Sequence, residues 1–240
     1  SREEFDAWYG EHQAPELFGQ AVYGLPEIYG PDLPGARLVA APGCYPTSAL
    51  LPSLPFVRAG VAELGGIFVD SKSGVSGAGR KLEDGLLFAE IASNARAYKV
   101  ADHRHTPEIE QELAQAAGSA VKISFIPHLI PTVRGILTSV LMRLRAPLDG
   151  AAAQAILEDA YADAPFVRVL PEGATPSLQA VRGSNFCDVA AVVDSRNQTL
   201  IALAALDNLV KGAGGQAVQC LNLVNGWPET SGLSEAPWLP

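Results

Sequence analysis

Cys44 stands in the segment APGCYPTSALL, after a Pro-Gly pair that turns the chain sharply and before Pro46, a residue tolerated at the start of a helix. A thiol at a helix N-terminus meets unpaired backbone N–H groups and the positive end of the helix dipole. Both favour thiolate and draw the pKa from about 8.5 towards neutrality. The competing reading is a buried packing cysteine, which is how Cys187 and Cys220 read in their apolar strand and helix contexts. His103 and His105 flank Arg104 just before a predicted helix. In an extended segment two such imidazoles share a face and the residue between them points away. An ordinary pKa near 6.5 suits either to proton transfer in thiol-based acyl chemistry. His128 reads as structural and His12 carries no signal. The loop SKSGVSGAGR, Ser71 to Arg80, offers three glycines, three serines and two cations, a composition that suits an anion-binding nest. Arg134 in PTVRG adds a planar fork for carboxylate or phosphate. Asp207, Asn208 and Lys211 form a polar cluster that helix capping explains.

These residues need elements to hold them. A short apolar run from 36 to 41 reads as a buried strand. The segment from Pro46 reads as a helix to Gly60 that Pro52 and Pro55 must kink or shorten. A strand is expected at 67–70. Thr106, Pro107 and Glu108 read as N-cap, first helical residue and first-turn acid of a helix stopped by Gly118. Strands at 121–127 and 135–144 are expected to form a hairpin or crossover pair around HLIPTVR. A helix at 151–161, a short strand at 166–169, antiparallel strands at 189–193 and 200–205, and a helix from Gly215 to Leu223 complete an α+β pattern, a sheet with helices on one side.

Lys+Arg 17 against Asp+Glu 26 gives a net charge of −9, which argues against nucleic acid as a partner. Apolar residues make up 48%, enough for a packed core, and no apolar run has the length of a membrane span. The opening residues lack the apolar core of a signal peptide, so a cytoplasmic location is expected. Three widely spaced cysteines and four histidines form neither a disulfide framework nor a metal-ligand pattern, and no metal is expected. No GxGxxG-type loop follows a strand near the start, so a complete dinucleotide-binding βαβ unit is not expected in the chain as given.

Taken in order, WYGEHQAPE, GCYPT, SKSGVSGAGR, HRHTPEI, PHLIPTVRGI and DNLVKGAGGQA resemble the N-acetyl-γ-glutamyl-phosphate reductase family over nearly the whole chain. The resemblance implies an NADP(H)-dependent, aldehyde-forming reductase of arginine biosynthesis. It implies the tail of a Rossmann-type NADP-binding domain over residues 1–43, an α+β catalytic and dimerisation domain like that of glyceraldehyde-phosphate dehydrogenases over 44–206, and a C-terminal helix over 207–240 that returns to the first domain. The family's N-terminal glycine-rich βαβ is missing. Leu38, Val39, Leu206 and Leu209 are therefore expected to be exposed, and binding of NADPH by this chain alone to be weak or absent.

Carried over by position, the resemblance makes Cys44 the nucleophile and His103 the acid/base. It puts His105, Glu108 and Arg134 near the substrate, and Ser73, Gly74 and Asn208 near the cofactor. The implied partners are a small acyl phosphate, released phosphate, and further copies of the chain in a homodimer or homotetramer. Two other readings stand beside this one: a lysine-pathway aminoadipyl-phosphate reductase with the same cysteine, and a catalytically silent dimerisation unit.

Overall fold

The computed structural model describes residues 2–80 and 82–238. The first segment holds helix α1 (Arg2–Tyr9), strand β1 (Val22–Tyr23), helix α2 (Pro26–Tyr29) and strand β2 (Val39–Ala40). β1 and β2 form a parallel pair. The expected strand at 36–41 is thus reduced to two residues and is not buried: Leu38 is 40% exposed.

The body contains α3 (Cys44–Arg58), β3 (Ile67–Ser73), α4 (Phe88–Ile91), β4 (Arg96–Ala97), α5 (Thr106–Ala117), β5 (Ile123–Leu129), β6 (Ile136–Arg143), α6 (Gly150–Ala160), β7 (Val167–Val169), β8 (Cys187–Asp194), β9 (Thr199–Leu206) and α7 (Gly215–Val224). Its mixed seven-stranded sheet has the order β4-β5-β3-β6-β9-β8-β7. The sequence around HLIPTVR does not make a hairpin, because β3 lies between β5 and β6, parallel to the first and antiparallel to the second. β8 and β9 are the antiparallel pair expected around Ser195 to Asn197.

Alternation along the strands sorts the two faces of the sheet. Ile67, Val69, Ile136, Val140, Leu200, Ala202 and Leu206 are buried on one face, where α3, α5 and α6 pack in the one-sided arrangement expected. Leu206 belongs to this core and not to an exposed patch. Phe68, Leu137, Leu141, Ile201 and Leu203 point to the opposite face and are half-buried.

α3 is the spine of this core, with Tyr45 to Val57 all buried, and it runs unbroken through both prolines. Pro55 has no N–H to give the carbonyl of Leu51, four residues earlier. The hydroxyl of Tyr161 donates to that carbonyl instead, at 2.5 Å. The carbonyl that Pro55 leaves unpaired is thus satisfied by a residue 110 positions from Leu51. At α5 the cap also differs from expectation. The helix begins at Thr106 after His105, and the Thr106 hydroxyl is buried with no hydrogen-bond partner instead of capping. Gly118 ends the helix in the left-handed region, φ 65°, as its position predicts.

Candidate active site

Cys44 is the first residue of α3, and Gly43 is the N-cap. The thiol opens onto a cavity of about 590 Å³ whose walls include Tyr45, Ser73, Gly77, Tyr98, His103 and His105, with Arg96, Lys99 and Arg104 supplying positive charge. The N–H groups of Tyr45 and Cys44 act on the sulfur in the direction expected of a helix start, but burial outweighs them. Together with the Glu108 charge, burial pushes the thiol up to about 11. The expected drop towards neutrality is thus reversed in this chain, because the water lost around the partly buried sulfur costs the thiolate more solvation than two N–H groups return.

The two histidines meet, though not by the route expected. Residues 103–105 form a turn and not an extended run. The His105 N–H donates to Nδ1 of His103 at 3.2 Å, and the rings stand edge to face with centroids 4.7 Å apart. Arg104 between them does not point away from the cavity but lines it. With Nδ1 accepting, neutral His103 carries its proton on Nε2. Burial, with the charges of Lys99 and Arg104, holds His103 down to about 4. Burial, then His103 and the same two cations, holds His105 down to about 3, and its buried Nδ1 has no partner. Both imidazoles are neutral at pH 7. The ring of His103 also packs against Tyr45, Tyr98 and Phe125 at 5.4–5.7 Å between centroids, as part of an aromatic cluster built from α3, β5 and the 98–105 turn.

Other predicted site residues stand outside this cavity. Glu108 lies behind Gly43, facing a second cavity of about 380 Å³ with Phe5, Tyr9 and Tyr23. Arg134 gives Nε and Nη2 to Asp207 at 3.3 and 3.0 Å and stacks on Trp238 at 4.8 Å, so the fork meant for substrate is occupied by an internal carboxylate. The glycine loop is not an open nest: the N–H groups of Gly74, Val75 and Ser76 donate to the carbonyls of Gly135, Thr132 and Val133. Gly74 is needed for that pairing, since a Cβ there would stand 2.7 Å from the Val133 carbonyl oxygen. Lys72 pairs with Asp70 on the opposite face of the sheet. Asn208 accepts from the Gly135 N–H at 2.7 Å and donates to the Ser76 hydroxyl at 3.0 Å, leaving one amide hydrogen beside Gly77. Asp207 does cap the following turn through the Leu209 and Val210 N–H groups. Lys211, however, is fully buried against Glu27 at 2.6 Å and Gln219 at 2.8 Å. The five-residue π-helical turn Val210–Gly214 brings Gly212 against Cys44, where a Cβ would come 2.8 Å from that of the cysteine.

The sequence reading missed Tyr45, Tyr98, Arg96 and Lys99. Tyr45 could have been found beside Cys44, whereas the others lie in an irregular stretch with no periodic signal. Among the described residues no group of three or more His, Cys, Asp or Glu is arranged to hold a metal ion, and no helix is long and apolar enough to cross a membrane.

Comparison with solved structures places this sheet and its helices with aspartate semialdehyde dehydrogenases. The type II enzyme from Vibrio cholerae superposes with a TM-score of 0.69 over 92% of this chain and 74% of its own, at 18% identity. The enzyme from Francisella tularensis gives 0.65 over 87% and 71%, at 14% identity. The family described as "Semialdehyde dehydrogenase, dimerisation domain" matches residues 44–208. The chain is therefore an oxidoreductase of the semialdehyde dehydrogenase class. N-acetyl-γ-glutamyl-phosphate reductases from Magnetococcus marinus and Pelotomaculum thermopropionicum are each 50% identical to it, over 100% and 96% of this chain and 69% and 67% of their own lengths. The chain belongs to the N-acetyl-γ-glutamyl-phosphate reductase family.

Proposed function

We propose that this chain carries the catalytic half of an NADPH-dependent reductase of arginine biosynthesis, one that converts N-acetyl-γ-glutamyl phosphate to the semialdehyde through a thioester on Cys44. The observation that carries this reading is the convergence of a helix-start thiol, two neutral imidazoles and three cations on one cavity. The substrate presents a phosphate and a carboxylate at opposite ends of a short chain, and Arg96, Lys99 and Arg104 supply the charge to hold it. The Cys44 sulfur adds to the acyl carbonyl, the C–O bond to phosphate breaks, and the thiol proton ends on the phosphate that leaves. The Tyr45 and Cys44 N–H groups and the Nε2–H of His103 are donors for the oxygen as it gains charge. A reduced nicotinamide, when bound, supplies the hydride that carries the thioester to the aldehyde level. The Nε2–H of neutral His103 gives the hydroxyl proton of the resulting hemithioacetal and is restored from solvent, and collapse frees the semialdehyde and returns the thiol.

Residues for the cofactor fit in part. Asn208 keeps one amide hydrogen beside Gly77 on the cavity wall, and Ser73 lines the cavity, while the Gly74 N–H is already spent. The domain description of the matched family and the half-buried apolar face of the sheet support a homo-oligomer joined through that face. A soluble enzyme of the cytoplasm suits the reaction.

The test is mass spectrometry of the full-length enzyme mixed with acyl phosphate in the absence of reductant. One acyl group should appear on Cys44, with one phosphate released per site. No adduct on Cys44 would remove the thioester. A higher kcat/KM for an aminoadipyl phosphate would move the substrate to the lysine-type reductase.

A further inference from the structure

Glu108, assigned to the substrate by resemblance, is turned by the fold towards the backbone of the nucleophile's own turn. Its Oε1 accepts the Gly43 N–H at 2.9 Å and the Tyr23 hydroxyl at 2.8 Å. Gly43 caps α3 immediately before Cys44, and its other side is closed by the ring of His105. The peptide that aims the sulfur is thus clamped between a carboxylate and an imidazole. Tyr23 is itself anchored: it pairs with Ala40 in the β1–β2 ladder, and the next residue, Gly24, passes so close to Val39 and Cys220 that a Cβ would stand 2.7 and 3.1 Å from them. One turn along α5, Glu112 takes the hydroxyl of Tyr29, whose ring meets that of Tyr23 edge to face at 5.8 Å. Two tyrosine–carboxylate pairs therefore join the β1–α2 segment to α5 behind the nucleophile.

We propose that Tyr23 and Glu108 are positioning residues for Cys44, acting through the Gly43 peptide and not on the substrate. The inference rests on the reading of Cys44 as the nucleophile. An N–H held by a buried carboxylate is a strong restraint, and misplacement of a reacting atom by an ångström costs rates of about a hundredfold. The same carboxylate also opposes ionisation of the thiol by its charge.

The experiment uses the full-length enzyme and four variants. Glu108→Gln keeps an oxygen acceptor for both donors and removes the charge. KM should stay within about twofold, while alkylation of Cys44 by iodoacetamide should reach its midpoint at lower pH than in the parent. Tyr23→Phe should lower kcat several-fold, and Glu108→Ala by roughly ten- to a hundredfold, both with little change in KM. Thermal unfolding of Glu108→Gln and Tyr23→Phe keeps the test valid if Glu108→Ala fails to fold. A rise in KM of tenfold or more in Glu108→Gln, with kcat unchanged, would make Glu108 a substrate ligand and overturn the proposal. So would an unmoved alkylation midpoint together with a parental kcat in Tyr23→Phe. Parental activity in Cys44→Ser would instead strike the nucleophile reading, a result that the alkylation data do not produce.

Discussion

The imidazole of His105 occupies the space that a side chain on residue 43 would fill: a Cβ built on Gly43 would stand 2.5 Å from Nε2 and 2.7 Å from Cε1. The Gly43 backbone, at φ −65° and ψ 156°, is one that any residue adopts. Its small size is required by contact and not by conformation. Gly43→Ala should therefore fold but displace the imidazole or the turn, lowering kcat by roughly tenfold or more. Steady-state kinetics beside a melting curve checks this, and a fully active Gly43→Ala would show that the contact is not part of the working geometry.

Only one of the three thiols faces a cavity wide enough for a substrate. Burial pushes Cys220 up to about 11 and Cys187 further, but both are enclosed by packed side chains. Iodoacetamide should label Cys44 first, and because the reactive form is the thiolate, the rate in this chain should climb about tenfold per pH unit from 7 towards 10 without a plateau. A plateau near pH 7 would mean that the helix N-terminus outweighs burial after all.

The histidine pair makes a separate prediction on pH. His103→Asn should lower kcat by about 10²–10⁴-fold, the range for loss of a general acid/base, whereas His105→Asn should act more on KM. The inverse pattern would exchange their roles. Both imidazoles have folded pKa values below the ordinary 6.5, at about 4 and 3. Between these and 6.5 the unfolded chain binds more protons than the folded one. The stability they confer is therefore complete above pH 6.5 and is lost progressively as pH falls towards 4. Urea unfolding between pH 7 and 4.5 should show this decline, and His103→Asn should flatten it.

Lys211 and Glu27, 184 positions apart, have fully buried side chains at 2.6 Å. Lys211→Ala leaves the Glu27 carboxylate without its cation and should cost about 3–5 kcal/mol, whereas the double change Lys211→Met with Glu27→Leu should cost far less. Chemical denaturation of the three proteins measures the difference, and a Lys211→Ala loss below about 1 kcal/mol would assign the pair no structural weight.

Cofactor affinity tests how much of the nicotinamide site these residues supply. Calorimetric titration of this 240-residue chain with NADPH should give weak binding or none, since the donors of the glycine loop are turned to the 132–135 carbonyls. A dissociation constant in the low micromolar range would show that the site is complete here.

Much of the site was legible because its signals are local. A turn of Pro42 and Gly43 before a helix puts a thiol at the N-terminus, a HRH triplet before Thr106 and Pro107 puts two imidazoles beside a helix start, and apolar runs give β6, β8 and β9. Such patterns depend on steric and hydrogen-bonding preferences that act over a few residues. Partners distant in sequence decided the rest. The donor that lets α3 run past Pro55 comes from Tyr161. The carboxylate that fills the fork of Arg134 is Asp207, and the N–H groups of the glycine loop are consumed by the turn after β5. The direction of the Cys44 shift belongs to the same class. The helix start favours thiolate and is written in the sequence, but the loss of water around the sulfur is set by His105, Gly212 and the walls of the cavity, which only the packed fold assembles. Desolvation sums over all neighbours whatever their place in the chain, so no local window of sequence contains it.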